Sequence, residues 1–227
     1  MISATSLPLS AIRFTGGVLG ERIETVGTVR LLRQWEALND RIAGAPPSHA
    51  VRNLRIAAGD ESGEFDGLCF QRWSNLRDLH ELYCFGHFIE AAVAHQGATG
   101  SERLINVARK LADLLDRTFG LGADQNRGYP GHPELELALV KLARATGELK
   151  YQKLEEYFVR QRGQSPHYFV EEAERRQETT PPVWAYFDEQ AYWQSHVPVT
   201  EQTEPRGHAV RAMYLYAAMA DLARETG

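Results

Sequence analysis

Apolar residues recur at three- and four-residue steps along most of this chain, the spacing that gathers them on one face of an α-helix. From Val18 to Ile42 the series Leu19, Ile23, Val26, Leu31, Trp35, Leu38 and Ile42 predicts an amphipathic helix, weakened at Gly27. Residues 44–48, with Pro46 and Pro47, stop it. Ahead of it, residues 1–16 are short of charge and carry Pro8, Gly16 and several hydroxyl side chains. They read as an extended arm with room for one strand through Ile12 and Phe14. Residues 48–58 read as a short helix, and the polar, glycine-rich residues 59–67 as a loop.

The middle of the chain is more strongly patterned. Residues 75–98 are apolar almost all round, through Leu79, Leu82, Tyr83, Phe85, Phe88, Ile89, Ala91, Ala92 and Val93, which predicts a helix buried on every side. Gly100 ends it. Ser101 is placed to cap a second helix to about Phe119, whose stripe of Leu104, Ile105, Ala108, Leu111, Ala112, Leu115 and Phe119 is one-sided. After a loop over 120–131, Pro133 falls where a first helical turn tolerates proline. Leu135 to Ala143 then forms another apolar helix ended by Gly147, and residues 148–162 another one-sided helix. Residues 164–206 are a long excursion rich in Pro, Thr, Gln and aromatics, with a helix around Val170–Gln177. Residues 209–225 make a third apolar helix.

The three apolar helices share a signature. Each carries a Gly-His pair, Gly86-His87, Gly131-His132 or Gly207-His208, and each closes on Thr-Gly, at Thr99-Gly100, Thr146-Gly147 and Thr226-Gly227. The repeating unit is therefore a helical hairpin of one buried and one half-exposed helix. A buried ring inside an amphipathic ring implies an all-α fold, an incomplete α/α barrel (a toroid of helical hairpins) with a short extended N-terminal arm. An open superhelix is the competing geometry. The expected organisation is an arm and first helix over residues 1–47 and a partial barrel over 48–227. The third apolar helix has no outer partner after it, so the chain reads as truncated at a hairpin turn, with an oily helix face left to cover.

Composition narrows the function classes. A hydrophobic share of 43% and a charged share of 24% suit a globular domain with a sizeable core. The net charge of −5 and the lack of a basic stripe argue against nucleic acid. No apolar run is long enough to span a membrane, and the N-terminus lacks a basic start followed by an apolar core, so a cytoplasmic location is expected. The two cysteines, Cys69 and Cys84, form no CxxC pair and no disulfide framework.

Candidate chemistry lies on the apolar helices. His80, Cys84, His87 and Glu90 follow at steps of four, three and three, so a continuous helix sets them along one face. That strip reads as a pocket lining or as a buried polar ladder. A zinc site is conceivable from the residue types, but no metal site is expected in this chain. His132 and Glu136 make a similar strip on the second helix, and His208 and Arg211 on the third. Three histidines at the matching turn of each repeat would form a shared rim of donors and acceptors suited to a hydroxyl-rich ligand. Glu81, Glu90, Glu134 and Glu136 are candidates for a glycosidase carboxylate pair, but spacing alone assigns none of them. The aromatics Tyr168, Phe169, Trp184, Tyr186, Phe187, Tyr192 and Trp193 either stack on sugars or anchor the excursion.

The stretches SHAVRNLRIAAG (48–59), HELYCFGHFIEAAVAHQGATG (80–100), GYPGHPELELALVKLARATGE (128–148), RGQSPHYF (162–169) and QSHVPVTEQTEPRGHAVRAMYLYAAMADLA (194–223) together resemble glycoside hydrolase family 127, the β-L-arabinofuranosidase family. The resemblance implies an α/α barrel followed by β-sandwich domains, and retaining hydrolysis of terminal β-L-arabinofuranosyl groups. It implies a cysteine nucleophile held on zinc by other cysteines and a glutamate, with a separate glutamate as acid/base. It also implies that His87, His132 and His208 hold the sugar, with His80, Cys84, Glu90 and Glu136 as further pocket-lining candidates.

Two departures follow from the same comparison of motifs. The family's catalytic glutamate, zinc ligands and nucleophilic cysteine lie beyond residue 227, and Cys69 and Cys84 match none of them. Family members also carry about one more helical hairpin where Gln71 here runs straight into Arg72. The expectation is therefore a partial glycoside hydrolase of carbohydrate metabolism with part of the sugar pocket, no catalytic residue, no cofactor of its own and no activity alone. The competing readings are a helical interaction module that uses its uncovered faces for self-association or for a missing C-terminal half, and a different α/α-barrel sugar enzyme such as an epimerase or lyase.

Overall fold

The computed structural model describes residues 11–58, 60–63, 72–179 and 189–226. The chain divides into two compact units, with the main boundary between Gln71 and Arg72. The expected boundary at residues 47/48 is thus displaced, and the short helix of residues 50–58 groups with the first helix.

In the first unit, α1 (Gly17–Thr25), a π-helical turn (Val26–Arg30) and α2 (Leu31–Leu38) follow one another with helical backbone angles at each junction. The π turn contains Gly27, and the Leu31 N–H reaches back five residues to the Val26 carbonyl. The helix stops at Leu38, before the expected Ile42. The Asn39 side chain donates to the Trp35 carbonyl at 2.7 Å, and Asp40 adopts a left-handed φ of 59°. The Asp40 carboxylate then accepts the N–H groups of Ser48 and His49, which closes the loop ahead of α3 (Ala50–Ala58). Residues 12–15 form no strand, and Ile12 and Phe14 are exposed; the rest of the expected arm, residues 1–10, lies outside the described residues. No residue of α1 or α2 is buried.

The second unit holds α4 (Glu81–Thr99), α5 (Arg103–Thr118), α6 (Leu135–Thr146), α7 (Leu149–Gln161), α8 (Tyr168–Arg175), α9 (Glu189–Tyr192) and α10 (Ala209–Thr226). Helices α4 and α5 form one hairpin and α6 and α7 the next; α4, α6 and α10 pack side by side, backed by α5 and α7. This two-layered arrangement is that of part of an α/α barrel. No strand occurs among the described residues, only a single bridge between Phe119 and Asn126. None of the described helices is long and apolar enough to cross a membrane. The excursion carries α8, α9 and a 3₁₀ turn at Val199–Glu201; its aromatics Trp184, Tyr186 and Phe187 lie outside the described residues.

Burial follows position in the row. Helix α6, flanked by α4 and α10 and backed by α7, buries Leu135, Glu136, Ala138, Leu139, Val140, Leu142 and Ala143. Helix α4 buries only Leu82, Gly86, Ile89 and Ala92, while Phe85, Phe88 and Val93 are half-buried. The expectation of a helix buried on every side is therefore wrong for α4, whose apolar circumference exceeds what its neighbours cover. Helix α10 buries Ala212, Leu215, Ala218 and Leu222 and leaves Val210 and Met213 exposed.

The Thr-Gly closures have a local cause. Thr99 and Thr146 donate their hydroxyls to carbonyls one turn back, at His95 and Leu142, and the following glycines take left-handed angles that return their N–H groups to the helix end. Three helix starts differ from expectation. Asn75 Oδ1 accepts the Asp78 N–H at 3.1 Å and closes a separate turn, so α4 begins only at Glu81. Ser101 caps nothing, because α5 begins at Arg103. Pro133 precedes α6 rather than opening it.

Candidate functional site

Backbone fastenings bring the Gly-His segments together. Leu76 and Arg77 donate their N–H groups to the buried Glu172 carboxylate of α8 at 2.7 and 3.2 Å, which fixes the segment ahead of α4. The chain through Gly131 runs flush against it. The Gly131 N–H donates to the Leu76 carbonyl at 2.9 Å, and a Cβ on Gly131 would lie 2.0 Å from the Arg77 carbonyl oxygen. The fully buried Arg162 stacks over Tyr129 and donates to the Pro130 and Trp193 carbonyls and to Glu136. It thereby ties the His132 turn to the segment before His208. There, the His208 N–H donates to the Tyr192 carbonyl at 3.3 Å, and Gln194 Nε2 donates to the carbonyls of Arg206 and His208. On α4, Gly86 lets the helix backbone approach the start of α6, since a Cβ there would be 2.8 Å from Leu135 N.

The result is a cluster of rings. His132 lies 5.6 Å from His80 and 6.4 Å from His208, centroid to centroid. Tyr83 stands between His87 at 4.4 Å and His132 at 4.3 Å, and Tyr214 of α10 lies 6.1 Å from His87 and 5.7 Å from His132. Four sequence-derived candidates, His80, His87, His132 and His208, thus meet at one place. Tyr83 and Tyr214 were not singled out by the sequence pattern, where they read as part of apolar helix walls. The available signal was positional: Tyr83 precedes His87 by one helical turn.

Electrostatics favour the neutral form of two of these rings. Burial, with the positive charge of Arg211 and the neighbouring His80 and His208 imidazoles, pushes the His132 pKa down to about 4. Burial and Arg211 also lower His80. At neutral pH both rings are uncharged, and each offers one donor and one acceptor. Arg211 is itself buried, stacks over Tyr192 at 4.6 Å, and keeps Nε and Nη1 without hydrogen-bond partners.

Other candidates go elsewhere. Cys84 is an exposed residue whose thiol is partly desolvated by its neighbours, which together with the charge of Glu81 raises its pKa; Cys69 lies outside the described residues. The family's zinc is held by several cysteines, and Cys84 is the one cysteine among the described residues, so these residues do not supply that ligand set. Glu136, expected in the pocket lining, is fully buried and paired with Arg162 at 2.9 Å. His87, Glu90 and Glu134 bring one ligand atom each within 4.8 Å of one another. Lys141 already holds Glu90, however. Burial and the Glu90 charge also push Glu134 up to about 8, so near neutrality it keeps its proton. A separate cleft of about 690 Å³ on the outer side is lined by Arg127, Lys153, Tyr157, Arg160 and Tyr168 and contains none of the histidines.

Comparison with known proteins identifies the family. The sequence model of the β-L-arabinofuranosidase GH127 catalytic domain matches residues 63–227. The non-reducing end β-L-arabinofuranosidase of Bifidobacterium longum subsp. longum is 31% identical, with 86% of this chain and 40% of that protein aligned. The alignment extends over 265 residues, more than this chain's 227, so that relative carries residues inside the matched span that have no counterpart here. The crystal structure of Ara127N-Se, a GH127 β-L-arabinofuranosidase from Geobacillus stearothermophilus T6, superposes with a TM-score of 0.85 at 41% identity, covering 95% of this chain and 42% of that one. The GH127 β-arabinofuranosidase BT3674 gives a TM-score of 0.56 at 40% identity over 69% of this chain and 22% of its own. The chain therefore spans about 40% of the length of the curated relative, and by sequence and fold alike it belongs to glycoside hydrolase family 127, the β-L-arabinofuranosidase family.

Proposed function

We propose that this chain forms the sugar-holding part of a GH127 β-L-arabinofuranosidase barrel. In this reading a β-L-arabinofuranosyl group sits among His87, His132 and His208, bordered by His80, Tyr83 and Tyr214, and the chain alone does not hydrolyse it. The observation that carries the reading is that His87 and His132 both pack on Tyr83 and Tyr214 while His208 packs on His132, three histidines at or just ahead of successive inner helices. Imidazoles and phenols give directed donors and acceptors for hydroxyls, and the lowered pKa of His80 and His132 spares those two rings the cost of desolvating a charge. Saturation-transfer NMR with a methyl β-L-arabinofuranoside tests it. The signal is expected to fall in His87→Ala, His132→Ala and His208→Ala, and absence of binding by the folded wild-type chain overturns the sugar site. Zinc-dependent release of a chromogenic β-L-arabinofuranoside by the 227-residue chain overturns the claim of inactivity.

A second reading, a helical module that binds another polypeptide or a copy of itself, is favoured by Val210 and Met213, exposed on α10 at 51% and 60%. Light scattering separates the two, since a monodisperse monomer at high concentration counts against this second reading.

A further inference from the structure

Each of the three Gly-His rings has its Nδ1 engaged by a different group. His132 Nδ1 faces the Pro133 carbonyl oxygen at 3.0 Å. An oxygen that can only accept requires a proton on that nitrogen, and this leaves Nε2 bare. His208 stands immediately before α10, and its Nδ1 accepts the Arg211 backbone N–H at 3.4 Å, as an N-terminal cap does. That nitrogen must be bare, which places the proton of the neutral ring on Nε2. His87 Nδ1 lies 3.1 Å from Oε1 of Glu134, whose side chain is fully buried.

We propose that Glu134 is a positioning residue that holds His87 in the Nδ1–H tautomer, so that His87 and His132 present bare Nε2 acceptors to the ligand while His208 presents an N–H donor. The inference rests on the sugar site proposed above and gives it a polarity: two ligand hydroxyls donate, to His87 and His132, and one ligand oxygen accepts, from His208. Glu134 suits the task. Both of its oxygens are buried without an aligned donor; the carboxyl proton is shared with the neighbouring Glu90 through one of them, which leaves Oε1, 3.1 Å from His87 Nδ1, to accept an N–H. Its place is fixed from both sides. Glu134 immediately precedes α6, and its Cγ would lie 2.9 Å from a Cβ on Gly86, the residue before His87. Glycine at position 86 is what lets the buried carboxyl come up beneath the imidazole. The nearby Glu90 is held by Lys141. A neutral Glu134 still keeps an oxygen able to accept from His87.

The test reads tautomers directly. Long-range ¹H–¹⁵N spectra of the histidine rings are recorded on the full 227-residue chain at pH 7, alongside titration with methyl β-L-arabinofuranoside. In the wild type, Nε2 of His87 and His132 and Nδ1 of His208 are expected in the unprotonated range. Glu134→Leu is expected to move the His87 proton toward Nε2 and to weaken sugar binding at least about tenfold. Glu134→Gln, whose amide oxygen can still accept, is expected to retain the wild-type tautomer and most of the affinity. A wild-type His87 protonated on Nε2 overturns the proposal even if Glu134→Leu fails to fold. So does a folded Glu134→Leu with unchanged His87 signals, or zinc added alone that binds at micromolar concentration and shifts His87, which would make Glu134 a metal ligand. Intact tautomers without any sugar binding sink the sugar site and leave the Glu134 assignment standing.

Discussion

Arg162 Nη2 and Glu136 Oε1 lie 2.9 Å apart with neither side chain reached by solvent, joining the residue after α7 to the first turn of α6. The guanidinium also donates to the Pro130 and Trp193 carbonyls, so one buried cation fastens the approaches to two of the Gly-His segments. Removing one partner of such a pair leaves a buried charge uncompensated. Arg162→Met and Glu136→Leu are each expected to cost about 3–5 kcal/mol, whereas the double variant recovers much of the loss. Thermal unfolding followed by circular dichroism checks this, and additive losses in the double variant would show that the pair is not coupled.

The glycines of the Gly-His pairs answer to space rather than to flexibility alone. Alanine at 131 would drive its Cβ to 2.0 Å from the Arg77 carbonyl oxygen, a backbone atom that cannot rotate away. Gly131→Ala is expected to destabilise by at least about 2 kcal/mol and to displace His132. Gly97, inside α4 with nothing within 4 Å of where an added methyl group would stand, is the control. Gly97→Ala is expected to stabilise by about 0.5–1 kcal/mol. Equal effects at the two sites would refute the steric account.

Much of this was legible in the sequence, for identifiable reasons. Helices α5 and α7 followed from one-sided apolar stripes and α10 from its apolar run, and the three histidines could be matched because glycine and threonine mark equivalent places in each repeat. Long-range partners were not legible. Glu136 shares the spacing of a pocket residue with His132, yet it turns inward because Arg162, 26 residues on, supplies a buried counter-charge. The start of α4 was hidden by Asn75, whose side chain closes a turn of its own. Tyr83 and Tyr214 passed as core residues because a phenol on an apolar helix has the same periodicity whether it faces a core or a ligand.

His132 sets a pH dependence. Its folded pKa of about 4 lies below the ordinary value of 6.5, so between these limits the unfolded chain binds a proton that the folded chain refuses. Its contribution to stability is therefore full above pH 6.5 and is lost as pH falls toward 4. The imidazole is expected to show no titration in NMR above about pH 5. His132→Gln is expected to flatten the decline in denaturant midpoint between pH 6.5 and 4. A midpoint near 6.5 for the His132 ring would contradict the burial argument.

Glu155 sets the opposite slope. It is fully buried on α7, both its oxygens lack hydrogen-bond partners, and burial and then the charges of Glu136, Glu156 and Asp221 push its pKa up to about 9. Arg144, the cation that eases it, is already engaged by Asp221 and Glu225. Between pH 4.5 and 9 the folded chain keeps a proton that the unfolded chain releases, so stability falls as pH rises through that window and levels off above it. Glu155→Gln keeps the size of the side chain and removes the titration. Its advantage over the wild type is expected to grow from near zero at pH 5 to on the order of 1–3 kcal/mol at pH 8. Urea unfolding at pH 5, 7 and 8 measures that difference. A constant or shrinking difference would mean that Glu155 finds an ionic partner in solution, with Arg144 as the first residue to substitute next.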